Sequence, residues 1–320
     1  MERERAFFVG NPLERGQQEH EPLWVPDVQI AAWTTRESGR LAAEALAARG
    51  PARVALEPSF LPLDAHAELA GVAELVDGSG LLDELRAVKR PGELAQIRAA
   101  ADAIIGSMGA VFAAARPGVT QHELAEAMRV EEARRGLAFE YCLVSTGRSY
   151  NRAPTADAAW AEGELCCLDS GGSLNGYVGD MARMGFMGDP PPRALELLEQ
   201  VDAVQQAART AIAPGRPGAG IFEAAEAARL QCPDAAKLDF LAYGMGLISH
   251  EVPRLTSSGP VRYAAEHAHR PLEAGMVLSV ETDLRDPEIG FVKLEDTIVV
   301  TTNGYEALGD ELRGWNTAGQ

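Results

Sequence analysis

The chain repeats itself, and that repeat limits the folds open to it. Residues 116–129 begin Arg116-Pro117-Gly118 and can be laid on residues 216–229, which begin Arg216-Pro217-Gly218; eight of the fourteen positions are identical. Matches inside an alanine-rich helix carry little weight. The shared Arg-Pro-Gly break carries more, because Pro and Gly end one helix and prepare the next. The upstream stretch recurs too, with Pro191 to Ala213 paralleling Pro91 to Ala115. Leu94, Ile97, Ile104, Ile105, Met108, Val111 and Phe112 have the spacing of a helix with a buried face. Thr120 and Glu123 form a capping box for a further helix running to about Arg135. Residues 90–300 therefore read as two helix–helix–strand halves. Such halves pack about a pseudo-twofold axis, with a site between them fed by strands of both.

Each half also carries two acidic residues on strands. Leu165 to Ser170 is a short apolar run containing Asp169, and Tyr177 to Phe186 resumes as a second strand containing Asp180. Gly171-Gly172 and Asn175-Gly176 read as turn chemistry, which places Asp169 at a strand end. Eleven residues separate the two aspartates, and a hairpin brings both to one spot. In the second half, Gly275 to Glu281 is apolar and closes on a carboxylate, and residues 290–300 alternate with period two. Val292, Leu294, Ile298 and Val300 form one face; Phe291, Lys293, Glu295 and Thr297 form the other. Thr302-Asn303-Gly304 is a hairpin turn and Tyr305 starts a return strand. Asp169, Asp180, Glu281 and Glu295 facing one pocket would repel until some took up protons. A pair of divalent ions would relieve that, and all-oxygen ligation suits hard metals such as Mn or Mg. Each acid taken singly is better read as solvated surface; their recurrence in both halves favours a site.

Composition narrows the partners. The 320 residues suffice for a large core and one or two domains. The net charge of −18 argues against nucleic acid or an anionic membrane as partner. The start, Met1 to Phe8, has no apolar core of a signal peptide, and no apolar run approaches the roughly 20 residues needed to cross a bilayer. Cys142, Cys166, Cys167 and Cys232 have no disulfide or zinc spacing and read as reduced, buried thiols of a cytoplasmic protein. Residues 1–85 read as a small α/β unit, short for an independent domain, with no legible site. Ala6 to Val9 and Arg53 to Leu56 are strands, Arg36 to Arg49 a helix stopped by Gly50-Pro51, and Gly80 to Leu85 a connection. Residues 86–320 form the second domain.

Four segments of that domain resemble, in order and spacing, the metal-site motifs of the methionine aminopeptidase, Xaa-Pro peptidase and creatinase superfamily. They are Leu168 to Asp180 with Arg183, Gly244 to Glu251, Leu272 to Glu281, and Val292 to Thr297. The likeness covers roughly residues 86–310. It implies an α/β (α+β) pita-bread fold with duplicated halves, preceded by a creatinase-like N-terminal domain. It also implies an enzyme that hydrolyses a peptide or amide-like C–N bond, of the Xaa-Pro aminopeptidase or dipeptidase type. Its cofactors would be one or two divalent ions, Mn first and Zn, Co or Fe after it, on Asp169, Asp180, Glu281 and Glu295. His250 would stabilise an oxyanion and Glu281 would shuttle a proton. The partners implied are a small peptide or amide substrate and a second copy of the chain in a homodimer, with no nucleic acid and no membrane.

The chain departs from that pattern at two places. The motif expects a ligating histidine seven residues before His250, where this chain has Tyr243. A phenol is a poor ligand for most divalent ions at neutral pH, though a phenolate can hold ferric iron. Upstream, Tyr150 to Thr155 lacks the histidine many relatives carry. A metal-independent, creatinase-like amidinohydrolase and a non-catalytic binding protein are therefore the alternative readings. Lys293 reads as the ion-pair partner of Glu295, Arg183 as structural on the far face of its strand, and Trp315 as a packing anchor. His267 and His269 read as exposed in a polar loop from Pro260 to Arg270.

Overall fold

The computed structural model describes residues 6–25, 27–50, 52–258 and 265–319. The residues Met1–Arg5, the helix stop at Pro51 and the loop start at Pro260 lie outside them. The chain forms two compact units, Met1–Leu85 and Arg86–Gln320.

In the first unit, Phe7–Gly10 pairs in parallel with Asp27–Ile30, and Ala52–Leu56 with Ala73–Asp77. Thr34 caps the helix Thr35–Ala47 by accepting a hydrogen bond from the Glu37 N–H at 3.2 Å. The stretch from Gly80 to Leu85 is not a connection. It lies in a helix, Ser79–Ala87, whose first N–H donates to Asp77 Oδ1 at 2.8 Å.

The second unit is built twice over. Its first half runs α1 (Pro91–Ala114), α2 (Gln121–Arg134), β1 (Ala138–Thr146), β2 (Leu165–Leu174), β3 (Tyr177–Met187). Its second half runs α3 (Pro192–Thr210), α4 (Ala219–Arg229), β4 (Leu238–Gly244), β5 (Val277–Asp286), β6 (Gly290–Thr301). The sheet order is β4-β5-β6-β3-β2-β1, mirrored about the β6–β3 seam, with β7 (Gly304–Leu308) on β6 and β8 (Asn316–Ala318) on β3. The capping box at Thr120 and Glu123 is present in full. Helix α1 is, by length and composition, apolar enough to cross a bilayer, contrary to the sequence expectation. Here it is a core helix: Ile97, Ile104 and Met108 are fully buried in one cluster with Leu168 and Met181 of the sheet.

Strand β2 is longer than the sequence suggests. Gly171 and Gly172 do not turn; the strand continues to Leu174, so Asp169 lies in mid-strand. These positions are glycine because a Cβ at Gly171 would lie 2.5 Å from the Tyr141 ring, and one at Gly172 2.7 Å from Glu132 Oε2. The turn is Asn175-Gly176 alone, both with positive φ, the primed hairpin geometry that Asn-Gly favours.

Arg183 holds the seam. Only Glu295↔Ala182 is in register between β6 and β3. On the helix-covered face, Arg183 Nη1 donates to the carbonyls of Ala182 at 2.9 Å and Glu295 at 2.8 Å, so one guanidinium ties both halves together. Its charge is met by Asp296 at 2.9 Å, with both side chains fully buried. Trp315 packs edge-on against Phe186 at 5.5 Å and donates to the Ala194 carbonyl, as an anchor should. The four cysteines are free; three are buried and Cys232 is half-buried.

Candidate active site

Strand parity alone puts the acidic residues together. Asp169 pairs with Ala182 and Gly171 with Asp180, so the two aspartates are diagonal neighbours on one face. Ala182 pairs with Glu295 across the seam, Glu295 directly with Glu281, Glu281 with Leu241, and Ser279 with Tyr243. All four carboxylates, Tyr243 and Ser279 therefore share the face opposite α1 and α3. The four carboxylates and Tyr243 line a cavity of about 370 Å³ together with His250, Arg152 and Tyr141.

Oxygens of Asp169, Asp180 and Glu295 lie within 4.8 Å of one another, with all three residues buried. Glu281 is the fourth carboxylate and joins them through Lys293. The Lys293 ammonium, itself buried, sits 2.7 Å from both Asp169 Oδ2 and Glu295 Oε2 and contacts Glu281 Oε2. Lys293 thus pairs with three acids, where the sequence pointed to Glu295 alone. The Tyr243 hydroxyl donates to Glu295 Oε1 at 2.7 Å and lies 3.1 Å from Asp180 Oδ2. Ser279 donates to Glu295 Oε1 at 2.6 Å, Ser249 approaches Asp180 Oδ2 at 3.3 Å, and Arg152 donates to Asp169 Oδ2 at 2.8 Å. Sequence reasoning missed Arg152, Ser249, Ser279 and Tyr141. Ser279 was accessible, since it lies two residues before Glu281 on the same strand face.

The electrostatics divide the acids. Burial opposes ionisation of Glu295, but attraction to Lys293 and hydrogen bonds from Lys293, Ser279 and Tyr243 outweigh it and hold its carboxyl at about 2. Asp180 goes the other way: burial, then the charges of Glu295 and Asp169, raise it well above the usual carboxylate range. Burial, only partly offset by Lys293, pushes Glu281 up to about 8. Burial and the surrounding acids raise the Tyr243 phenol well above its ordinary value.

A hard divalent ion fits the trio. Its donors are all oxygen, and Asp180 Oδ1 is buried and makes no hydrogen bond of ordinary length among the described residues, although the Tyr141 hydroxyl approaches Asp180 closely enough to oppose the rise in its pKa.

His250 follows β4, with its ring stacked on Tyr243 at 3.7 Å between centroids. Its φ is +60°, a left-handed conformation that costs a non-glycine residue on the order of 1 kcal/mol and that accumulates at functional positions. Its neighbour Glu251 forms a buried pair with Lys89 at 2.8 Å, which anchors this segment. Burial lowers the His250 pKa, favouring the neutral ring. His267 is not exposed as expected; it is buried and its Nδ1 accepts from the Arg254 N–H at 3.2 Å. His269 is exposed.

A pseudo-symmetric sheet with helices on one face and an acidic pocket on the other is the architecture of the pita-bread hydrolases. The chain belongs to metallopeptidase family M24: that family matches residues 95–302, and the creatinase/prolidase N-terminal domain matches residues 1–88. Its relatives include an uncharacterised peptidase of Bacillus subtilis, YqhT, 27% identical over 88% of this chain and 80% of that protein. Another is the Xaa-Pro dipeptidase of Pyrococcus furiosus, 25% identical over 78% of this chain and 71% of the dipeptidase. The fold superposes on an X-Pro aminopeptidase from Thermotoga maritima with a TM-score of 0.84, at 18% identity over 97% of this chain and 87% of the other. M24 metallopeptidases use divalent metals, and this chain retains the carboxylate cluster.

Proposed function

We propose that the chain hydrolyses a peptide or peptide-like C–N bond of the Xaa-Pro type in a small substrate, with a divalent ion, manganese in the first place, held by Asp169, Asp180 and Glu295. The observation that carries this is the convergence of those three buried carboxylates, drawn from both halves, around the unpartnered Asp180 Oδ1. When bound, the ion would polarise the scissile carbonyl and lower the pKa of a water.

The protein's own groups do the rest. A neutral His250, which lines the cavity, can donate an N–H to the oxygen that gains charge during attack. Glu281 lines the same cavity in contact with Lys293, and its carboxyl can shuttle a proton to the departing amine. Tyr243, Ser279 and Lys293 fix Glu295, so that this carboxylate does not reorient during the reaction. Substrate size follows from the space. The site cavity shares Arg152 and Glu281 with a second cavity of about 370 Å³, lined also by Asp239, Asp283 and Arg285, which suits a short, charged peptide end.

The test is turnover of Xaa-Pro dipeptides by the full chain after chelation, with and without added Mn²⁺. Activity lost on chelation and restored by Mn²⁺ supports the proposal; no turnover of any short peptide in Mn²⁺ refutes it. One observation favours a metal-independent amidinohydrolase instead: an ammonium already contacts three of the four acids. Chelator-insensitive turnover of a small guanidino compound would select that reading.

A further inference from the structure

The position of Lys293 decides how many ions the site takes. Parity places its side chain on the carboxylate face of β6, directly between the two glutamates of the second half and Asp169 of the first. It is fully buried, and its three N–H donors match three acceptors on three different acids, so the ammonium is saturated. It is therefore not a surface lysine lying over a rim.

Counting charge gives the consequence. Four carboxylates face two cationic side chains, Lys293 and Arg152, leaving a deficit of two when all are ionised. One divalent ion cancels that deficit. A second would leave the buried site with two surplus positive charges, which a low-dielectric interior does not tolerate. Coordination agrees. Lys293 already uses one oxygen each of Asp169, Glu281 and Glu295, and Tyr243 and Ser279 use the other oxygen of Glu295. Asp169 Oδ1 and Glu281 Oε1 take none of these bonds either, but among the pocket's carboxylate oxygens Asp180 Oδ1 is the one that is fully buried without a hydrogen bond of ordinary length among the described residues.

We propose that the Lys293 ammonium stands in for one of two cations in this four-carboxylate pocket, so that the chain binds a single divalent ion and excludes a second. Lys293 is then a built-in counter-ion that sets metal stoichiometry. This rests on the reading of the pocket as a divalent-ion site, and the experiment separates the two claims.

The measurement is Mn²⁺ bound per full-length chain at saturation, by equilibrium dialysis with elemental analysis, together with the electron paramagnetic resonance spectrum. Wild type is expected to bind one Mn²⁺ and to give the signal of an isolated ion. Tyr243→His alone should still bind one, more tightly. Tyr243→His with Lys293→Met should bind two and show exchange coupling between them. Two ions on wild type, or two on Tyr243→His alone, overturns the proposal. If the double variant fails to fold, the wild-type and Tyr243→His counts still decide. A second readout is thermal: chelator-treated Lys293→Met should melt below wild type, and Mn²⁺ should raise its melting temperature more than that of wild type. Equal Mn²⁺ shifts would count against the proposal. No Mn²⁺ on wild type with one gained by Lys293→Met would refute the divalent-ion reading while upholding Lys293 as the cation's substitute; no Mn²⁺ on any variant refutes both.

Discussion

The two halves of the catalytic unit share a fold and differ in how they treat their acids. The first half brings Asp169 and Asp180 as diagonal neighbours and adds one neutralising group, Arg152, from a loop. The second brings Glu281 and Glu295 face to face and supplies, from the same sheet, Lys293, Tyr243 and Ser279 to satisfy them. The second half is thus largely self-neutralised and the first is not. Glu295 ends with a depressed pKa and Asp180 with a raised one. Duplication explains why four acids meet; divergence between the copies explains why they no longer play equal parts.

That asymmetry can be broken from either side. The largest effect should come from the first half. Asp180→Asn removes the unpartnered acceptor and should cost several kcal/mol of catalysis, at least about a thousandfold in kcat/KM, with Mn²⁺ binding lost in parallel. If Asp180→Asn keeps Mn²⁺ affinity, the first half does not hold the ion. Next is the seam. Arg183→Met would leave Asp296 buried beside its remaining partners and untie the carbonyls of Ala182 and Glu295; denaturant unfolding should show a loss of about 3–5 kcal/mol. A loss under about 1 kcal/mol would mean the halves hold together without it.

The third prediction concerns pH. Glu132 on α2 is fully buried, accepts from Ser170 at 2.7 Å and is pushed by burial from its ordinary 4.5 up to about 7. It therefore binds its proton more tightly folded than unfolded. The stability it contributes is present below about pH 4.5 and is lost as pH rises through about 7. Glu132→Gln should remove that slope, leaving the variant about 3 kcal/mol more stable than wild type at pH 8 relative to the difference at pH 4. Parallel unfolding curves at both pH values would contradict it. The smallest effect should come from the second half: Tyr243→His exchanges a phenol donor for a nitrogen ligand and should tighten Mn²⁺ binding by about tenfold or more, or roughly 1.4 kcal/mol.

Much of this site could be read from sequence because strand parity is a short-range rule. Once 290–300 alternates, Lys293 and Glu295 must share a face, and a two-residue turn at Asn175-Gly176 fixes Asp169 and Asp180 on one side. What escaped the sequence depends on residues distant in the chain. Gly171 and Gly172 look like a turn until the Tyr141 ring and Glu132 are seen against them. Arg152 reaches Asp169 from a loop that has no period. Lys293 was legible as a partner of Glu295, but its contacts with Asp169 and Glu281 require β2 and β5 to be placed first. His267 lies in a polar stretch, and only the fold buries it.

The most direct measurement is anomalous scattering at the manganese edge from crystals of the full chain grown in Mn²⁺. One peak is expected, bounded by Asp169, Asp180 and Glu295, with the Lys293 ammonium still in contact with Glu281. Two peaks, or one peak in the space that Lys293 fills with its side chain displaced, would contradict it.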